Sequence, residues 1–175
     1  MTKTGERPQR ILHNYEGRLL YAGQPTGAHT YLQIFRDGCI EAVDTRLFHV
    51  FDPATPRRLC CFSLDFEDVL LEGIRQSLRI LSRLGVEPPF SIMVSLLRVA
   101  EYILYDLNDA ALLRDWHPFH RDPLLIPEVT VEGFDIDLDM IMKPAFDVIW
   151  NSSGWIGSPN YTADGKREVK RKSRW

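Results

Sequence analysis

The chain is poor in cysteine, has no long apolar run and carries no glycine-rich phosphate loop, and each absence removes a class of protein. The three cysteines, Cys39, Cys60 and Cys61, form no CxxC spacing. An odd count without that spacing predicts neither a disulfide framework nor a zinc site. Cys60 and Cys61 are adjacent and read as small apolar residues in or near the core. No stretch reaches about 18 uncharged apolar residues, so no spanning helix and no membrane partner are expected. The opening MTKTGERPQR is polar and lacks the apolar region of a secretory signal, from which a cytoplasmic location is expected. GxxxxGKS/T, GxGxxG after a strand and GxSxG are all missing. No cofactor is expected, and the residues lean away from an enzyme.

What is there is ordinary for a folded protein: of 175 residues, 45% are apolar and 26% charged, which excludes a disordered chain. The net charge of −3 is unevenly spread. Residues 166–175 carry +5 and residues 1–10 carry +2, which leaves −10 on residues 11–165. An acidic body repels phosphate backbones, so a nucleic-acid groove across it is not expected. The predicted organisation is a flexible segment over 1–10, one domain over 11–161 and a basic, disordered tail over 162–175.

The strongest local signal is TYLQIFRDGCIEAVD, Thr30 to Asp44. Asp37-Gly38 between two β-rich runs predicts a hairpin of strands 30–36 and 39–45 closed by a type I′ turn. Ile11 to Ala22 reads as a strand upstream of it, and Pro53 and Pro56 make 46–62 a covering loop. From Asp65 the period changes: Phe66, Val69, Leu70, Ile74, Leu78, Leu81 and Leu84 mark one helix face. Ser63 or Asp65 would cap its start and Gly85 its end. Phe90 to Leu97 is expected to be a buried central strand with Tyr102–Tyr105 as its antiparallel neighbour. Leu124 to Val131 is a further strand, with Pro127 at an edge or bulge. Asp135 to Trp150 is a helix whose apolar face is Ile136, Met140, Ile141, Phe146 and Ile149, with Pro144 predicting a kink or a late start. Together these predict an α+β fold: a two-layer sandwich of an antiparallel or mixed sheet of about six strands, with two main helices on one face.

Three stretches could carry chemistry. His117-Pro118-Phe119-His120, flanked by Asp115 and Asp122, offers imidazole and carboxylate ligands for a divalent ion, but HxxH around a proline fixes no third ligand. The plain alternative is a polar loop with two histidines. Asp135, Asp137 and Asp139 begin like a calcium loop, yet Met140 and Phe146 stand where glycine and a carboxylate are required, so acids answering a helix dipole account for them better. The tail has Lys166, Arg167, Lys170, Arg171, Lys172 and Arg174, ending in Trp175, a composition that can bind nucleic acid or be a solvated end. Arg7 and Arg10 could assist it. Trp116, Phe119, Trp150 and Trp155 are candidate interaction-surface aromatics, or else they close the core.

TYLQIFRDGCIEAVD, LGVEPPFSIMVSLLRV, DPLLIPEVTVEGF, KPAFDVIWNSSGW and SPNY together resemble the C-terminal portion of bacterial Schlafen-like proteins, a group described as DNA-binding or ATP-binding. The Alba-type module that precedes this portion in them has no room here, so no catalytic residue carries over. Matching positions Phe35, Asp37, Gly38, Glu41, Asp44, Pro88, Trp150, Trp155, Asn160 and Tyr161 read as fold and surface determinants. The resemblance implies a non-enzymatic accessory or regulatory interaction domain with a protein partner or a second copy of itself. The alternatives are a nucleic-acid binder in transcription or defence working through the tail, and a metal-dependent hydrolase using the 115–122 loop.

Overall fold

A computed structural model describes residues 10–24, 27–45, 48–50, 59–100, 102–105 and 117–168, and of residues 23, 24, 27, 28, 48–50, 59–65 and 105 the main chain alone. The chain divides into two compact units at Leu47/Phe48, where one domain over 11–161 was expected. The α+β class holds. The single six-stranded sheet does not: among the described residues the largest sheet has four strands, and the rest are a three-stranded sheet and two short ribbons.

The first unit is an antiparallel meander of β1 (Arg10–His13), β2 (Gly17–Gln24), β3 (Gly27–Phe35) and β4 (Ile40–Asp44), in that spatial order. The run expected as one strand over Ile11–Ala22 is two, because Asn14 folds the chain back. Its carboxamide oxygen accepts from the amides of Glu16 at 3.1 Å and Gly17 at 2.7 Å. The Thr30–Asp44 hairpin forms as expected, with Ile34 opposite Ile40 and Thr30 opposite Asp44. Its turn differs from type I′. Gly38 has a φ of +92°, whereas Asp37 is not among the residues with positive φ. The Gly38 amide donates to the Phe35 carbonyl at 3.2 Å and the Phe35 amide to the Cys39 carbonyl at 2.9 Å. That is a three-residue loop, in which only the glycine bears the left-handed conformation.

The second unit holds β5 (Phe48–Val50), β6 (Leu59–Phe62), α1 (Ser63–Leu84), β7 (Phe90–Ile92), β8 (Ser95–Leu96), β9 (Tyr102–Tyr105), β10 (Leu124–Leu125), β11 (Val129–Val131) and α2 (Leu138–Asn151). Two expectations fail together here. Strands β5 and β6 lie within the stretch read as a covering loop, and β9 pairs with β6 in parallel, not with 90–97. Parallel neighbours need a long crossover, and α1 lies in the one that joins them. The segment Phe90–Leu97 is not a central strand. It is split into β7, paired with β11, and β8, paired with β10. Ile92, Val94 and Leu96 are half-buried on one face, while Met93 and Leu97 on the other are 77% and 63% exposed. Pro127 interrupts the run between β10 and β11, as its missing N–H requires.

Helix α1 ends where the sequence places its stop. Gly85, at φ +72°, donates to the Ser82 carbonyl at 3.1 Å, and Val86 donates to the Leu81 carbonyl at 3.0 Å, the paired bonds of a Schellman cap. The side chains of Ser63 and Asp65, its two candidate N-caps, lie outside the described ones. The inward face is Phe66, Leu71 and Leu81, with Ile74 and Leu78 half-buried; Val69 and Leu84 point to solvent. Helix α2 begins three residues later than expected, at the Asp137 N-cap, whose carboxylate accepts from the Met140 amide at 3.1 Å. It continues through Pro144. Its buried stripe is Leu138, Met142, Ala145, Phe146, Ile149 and Trp150, so the face expected around Ile136 and Met140 is displaced, and Met140 is 69% exposed. Among the described residues no helix is long and apolar enough to cross a membrane.

The β1–β2 turn gives a direct test of the meander. A Cβ at Gly17 would sit 1.9 Å from the Ile34 carbonyl oxygen of β3, a contact that backbone cannot yield. Gly17→Ala is expected to cost about 3 kcal/mol, the upper part of the range for forced overpacking. Urea denaturation followed by circular dichroism checks it, and an unchanged midpoint would contradict the close approach.

Candidate functional site

Two features of the second unit concentrate charge: a closed ion-pair knot beneath α1, and an open cleft along the same helix. The knot is built around Glu67, which is fully buried in the first turns of α1. Its Oε1 accepts from Trp150 Nε1 at 2.8 Å and Ser158 Oγ at 2.6 Å, and its Oε2 lies 3.0 Å from Arg167 Nη1. Arg167 also reaches Asp68 at 2.7 Å, and its guanidinium lies 5.9 Å from the Phe146 ring centre and 5.7 Å from that of Tyr161. A buried carboxylate is tolerated only with such hydrogen bonds and a counter-charge.

Arg167 is delivered there by a small hairpin. Tyr161 bridges Arg167 across a turn in which the Gly165 amide donates to the Thr162 carbonyl and the Thr162 amide to the Lys166 carbonyl, both at 2.9 Å. Asp164-Gly165 thus repeats the Asp37-Gly38 arrangement, a turn signal present in the sequence inside the basic stretch. The described residues run to 168, past residue 162 where a disordered tail was expected to start. Arg167 was expected among tail residues open to nucleic acid; its side chain is instead 9% exposed and paired inward. Lys166 is exposed beside Asp164. Lys170, Arg171, Lys172, Arg174 and Trp175 lie outside the described residues, as do Arg7, Asp115 and Trp116.

Of the aromatic candidates, Phe119, Trp150 and Trp155 close the core. Phe119 and Trp150 are 3% and 0% exposed, and Trp150 packs edge-on to Trp155 with 5.2 Å between ring centres. Trp155 is half-buried and donates to the Leu104 carbonyl at 3.2 Å. Trp150 is drawn inward because the Glu67 carboxylate satisfies its indole N–H. The His117–His120 loop is equally structural. Ser153 Oγ donates to the His117 carbonyl at 2.6 Å and accepts from the Leu104 amide at 3.1 Å. Gly154, at φ +83°, leaves room for the His117 ring, which a Cβ would meet at 2.5 Å. Asp122 accepts from the Arg98 amide at 2.7 Å. Both histidines are exposed, and among the described residues no three His, Cys, Asp or Glu side chains are grouped to hold a metal. Asn160 is enclosed, and its carboxamide has no hydrogen-bond partner among the described residues.

The cleft has a volume of about 500 Å³ and runs between α1 and the segment that enters α2. Arg75, Leu78, Arg79, Ser82 and Arg83 form one wall; Phe134, Ile136, Asp137 and Asp139 stand on the other. The three arginines recur every four residues, so they fall on one face, each about 6 Å further along the axis. Their circumstances differ. Arg75 is paired with Asp139 at 2.9 Å, and Asp137 is engaged as the cap of α2. Arg79 and Arg83 have no ion-pair or hydrogen-bond partner among the described residues. Arg83, in the last turn of α1, answers the carbonyl end of the helix. That leaves Arg79, flanked by two further cations, without a structural reason for its place. The four-residue spacing of these arginines is visible in the sequence alongside the apolar period of the helix.

No protein-family model, no curated protein and no solved structure matches the chain. The resemblance to Schlafen-like proteins accordingly rests on the quoted residues alone.

The knot yields two tests. Arg167→Ala strands a buried carboxylate and is expected to cost about 3–5 kcal/mol in urea unfolding, with part of the loss recovered when Glu67→Gln is added. A loss below about 1 kcal/mol, the range of surface pairs, would deny that the pair is buried. Burial pushes the Tyr161 phenol up to about 12, partly opposed by Arg167 and reinforced by the charges of Glu67 and Asp139. The folded state therefore holds its proton longer than the unfolded chain, and this contribution is complete below pH 10.0 and lost as pH rises toward about 12. Stability of the native chain should fall more steeply than that of Tyr161→Phe across that window; parallel curves would contradict it.

Proposed function

We propose that this chain is a non-enzymatic interaction domain whose working surface is the arginine-lined cleft, which takes a negatively charged group of a ligand or partner. The observation that carries this reading is the pair Arg79 and Arg83, set one turn apart on the wall of an open cleft with no counter-ion among the described residues. Structural arginines in this unit look different. Arg167 is withdrawn from solvent and paired with Glu67 and Asp68, and Arg75 is paired with Asp139. An open cleft that presents cations while the body is acidic offers local recognition, not the broad field of a nucleic-acid surface. The reading agrees with the accessory, regulatory role that the Schlafen-like resemblance implies.

Charge-assisted bonds from a guanidinium are worth about 1.5–3 kcal/mol each. The full chain titrated calorimetrically with inorganic phosphate at low salt should bind, more weakly as salt is raised. Arg79→Ala with Arg83→Ala should weaken that binding by about tenfold or more while unfolding stability stays within about 0.5 kcal/mol, since both side chains are exposed. The absence of binding, or equal binding by the double variant, rejects the proposal.

A further inference from the structure

We infer that the cleft is a site for a phosphate monoester whose organic part includes a flat ring. This deepens the proposal above and rests on it. The charge argument comes first. A single guanidinium satisfies a carboxylate with two parallel bonds, as Arg–carboxylate pairs do. Two arginines without a partner among the described residues, whose backbone positions are about 6 Å apart along one helix face, suit a group with more charge and more acceptors. A phosphate monoester has about −1.5 to −2 charges at neutral pH and three terminal oxygens.

The second argument is the apolar wall. Phe134 is 42% exposed although its ring centre lies only 5.2 Å from that of Phe90, and it lines the same cleft as Leu78 and Ile136. Exposed aromatic surface beside free arginines is poor company for a bare anion but suits a ligand with a flat apolar body joined to a charged end. The volume agrees. About 500 Å³ lies within the roughly 300–1,000 Å³ of small-molecule sites, and a free phosphate would leave most of it to water. The acids set the orientation. Asp139, paired with Arg75, repels a dianion from that end, so the phosphate sits toward Arg79 and Arg83 with the ring against Phe134.

The test is calorimetric titration of the full chain with phenyl phosphate and with inorganic phosphate at about pH 7.5, above the second phosphate pKa of about 6. Phenyl phosphate should bind at least about tenfold more tightly than inorganic phosphate, the ring's contact supplying the difference. Phe134→Leu, which keeps apolar bulk without the ring, should bring phenyl phosphate close to inorganic phosphate while leaving inorganic phosphate unchanged. Circular dichroism of this variant confirms its fold. Phosphotyrosine and uridine monophosphate, titrated in parallel, distinguish a protein side chain from a free nucleotide as the source, the tighter of the two naming it. Equal affinity for phenyl and inorganic phosphate, with both still dependent on Arg79 and Arg83, overturns this inference and leaves the anion-binding proposal standing. Loss of all arginine-dependent binding overturns both.

Discussion

Glu67 constrains the second unit more than any other residue. A carboxylate shut away from water must be met by donors and a counter-charge, and this one draws them from three distant places: Trp150 near the end of α2, Ser158 just after it, and Arg167 at the far side of the last hairpin. The partners lie 83, 91 and 100 residues away in the chain. Satisfying one group thus joins α1, α2 and the segment 158–168. Replacing such a knot by apolar side chains need not weaken a protein, but removing one member of it does. Its consequence here is positional: the closing hairpin cannot detach without exposing an unpaired charge to the core.

The same requirement divides the arginines of this unit by role. Arg167 lies beside the rings of Phe146 and Tyr161 and is spent on Glu67 and Asp68. Burial alone would lower its pKa, but its contact with Tyr161 and the charges of Glu67 and Asp68 more than offset that, so it is held above its ordinary value. Asp139 touches both features, paired with Arg75 in the cleft and 4.0 Å from Arg167 in the knot. Tyr161 adds a bond from its hydroxyl to the Asp139 carbonyl at 2.7 Å. The wall of the cleft that bears Asp139 is thereby tied to the knot, and of the cleft's three arginines, Arg79 and Arg83 have no partner among the described residues. A preorganised wall carrying uncommitted cations is the arrangement expected of a binding surface.

Local chemistry was legible in particular residues. Asp37-Gly38 announced a hairpin because a glycine can take the left-handed position that closes it, and Gly85 announced the end of α1 for the same reason. The turn type differs because type I′ asks Asp37 to share that conformation, and the chain uses a three-residue loop that does not. The second Asp-Gly, at 164–165, makes the same turn inside a stretch whose basic composition suggested an unstructured end. Composition describes solvation, and one buried partner for Arg167 was enough to overrule it. The candidate site was the least legible part, since the quoted motifs around His117, Trp150 and Asn160 turned out to hold backbone and core.

The amino-acid sequence by itself determined the α+β class, the first hairpin, the span of α1 with its glycine stop, and the acidic start of α2, all of which depend on neighbours within a few residues. Tertiary structure alone decided that β9 runs parallel to β6, that Phe90–Leu97 has one face open to solvent, and that the chain forms two units. It also decided which cations are neutralised. Pairing and burial depend on groups brought together from across the chain, and the helical period that places Arg75, Arg79 and Arg83 on one face is silent about which of them meets a carboxylate.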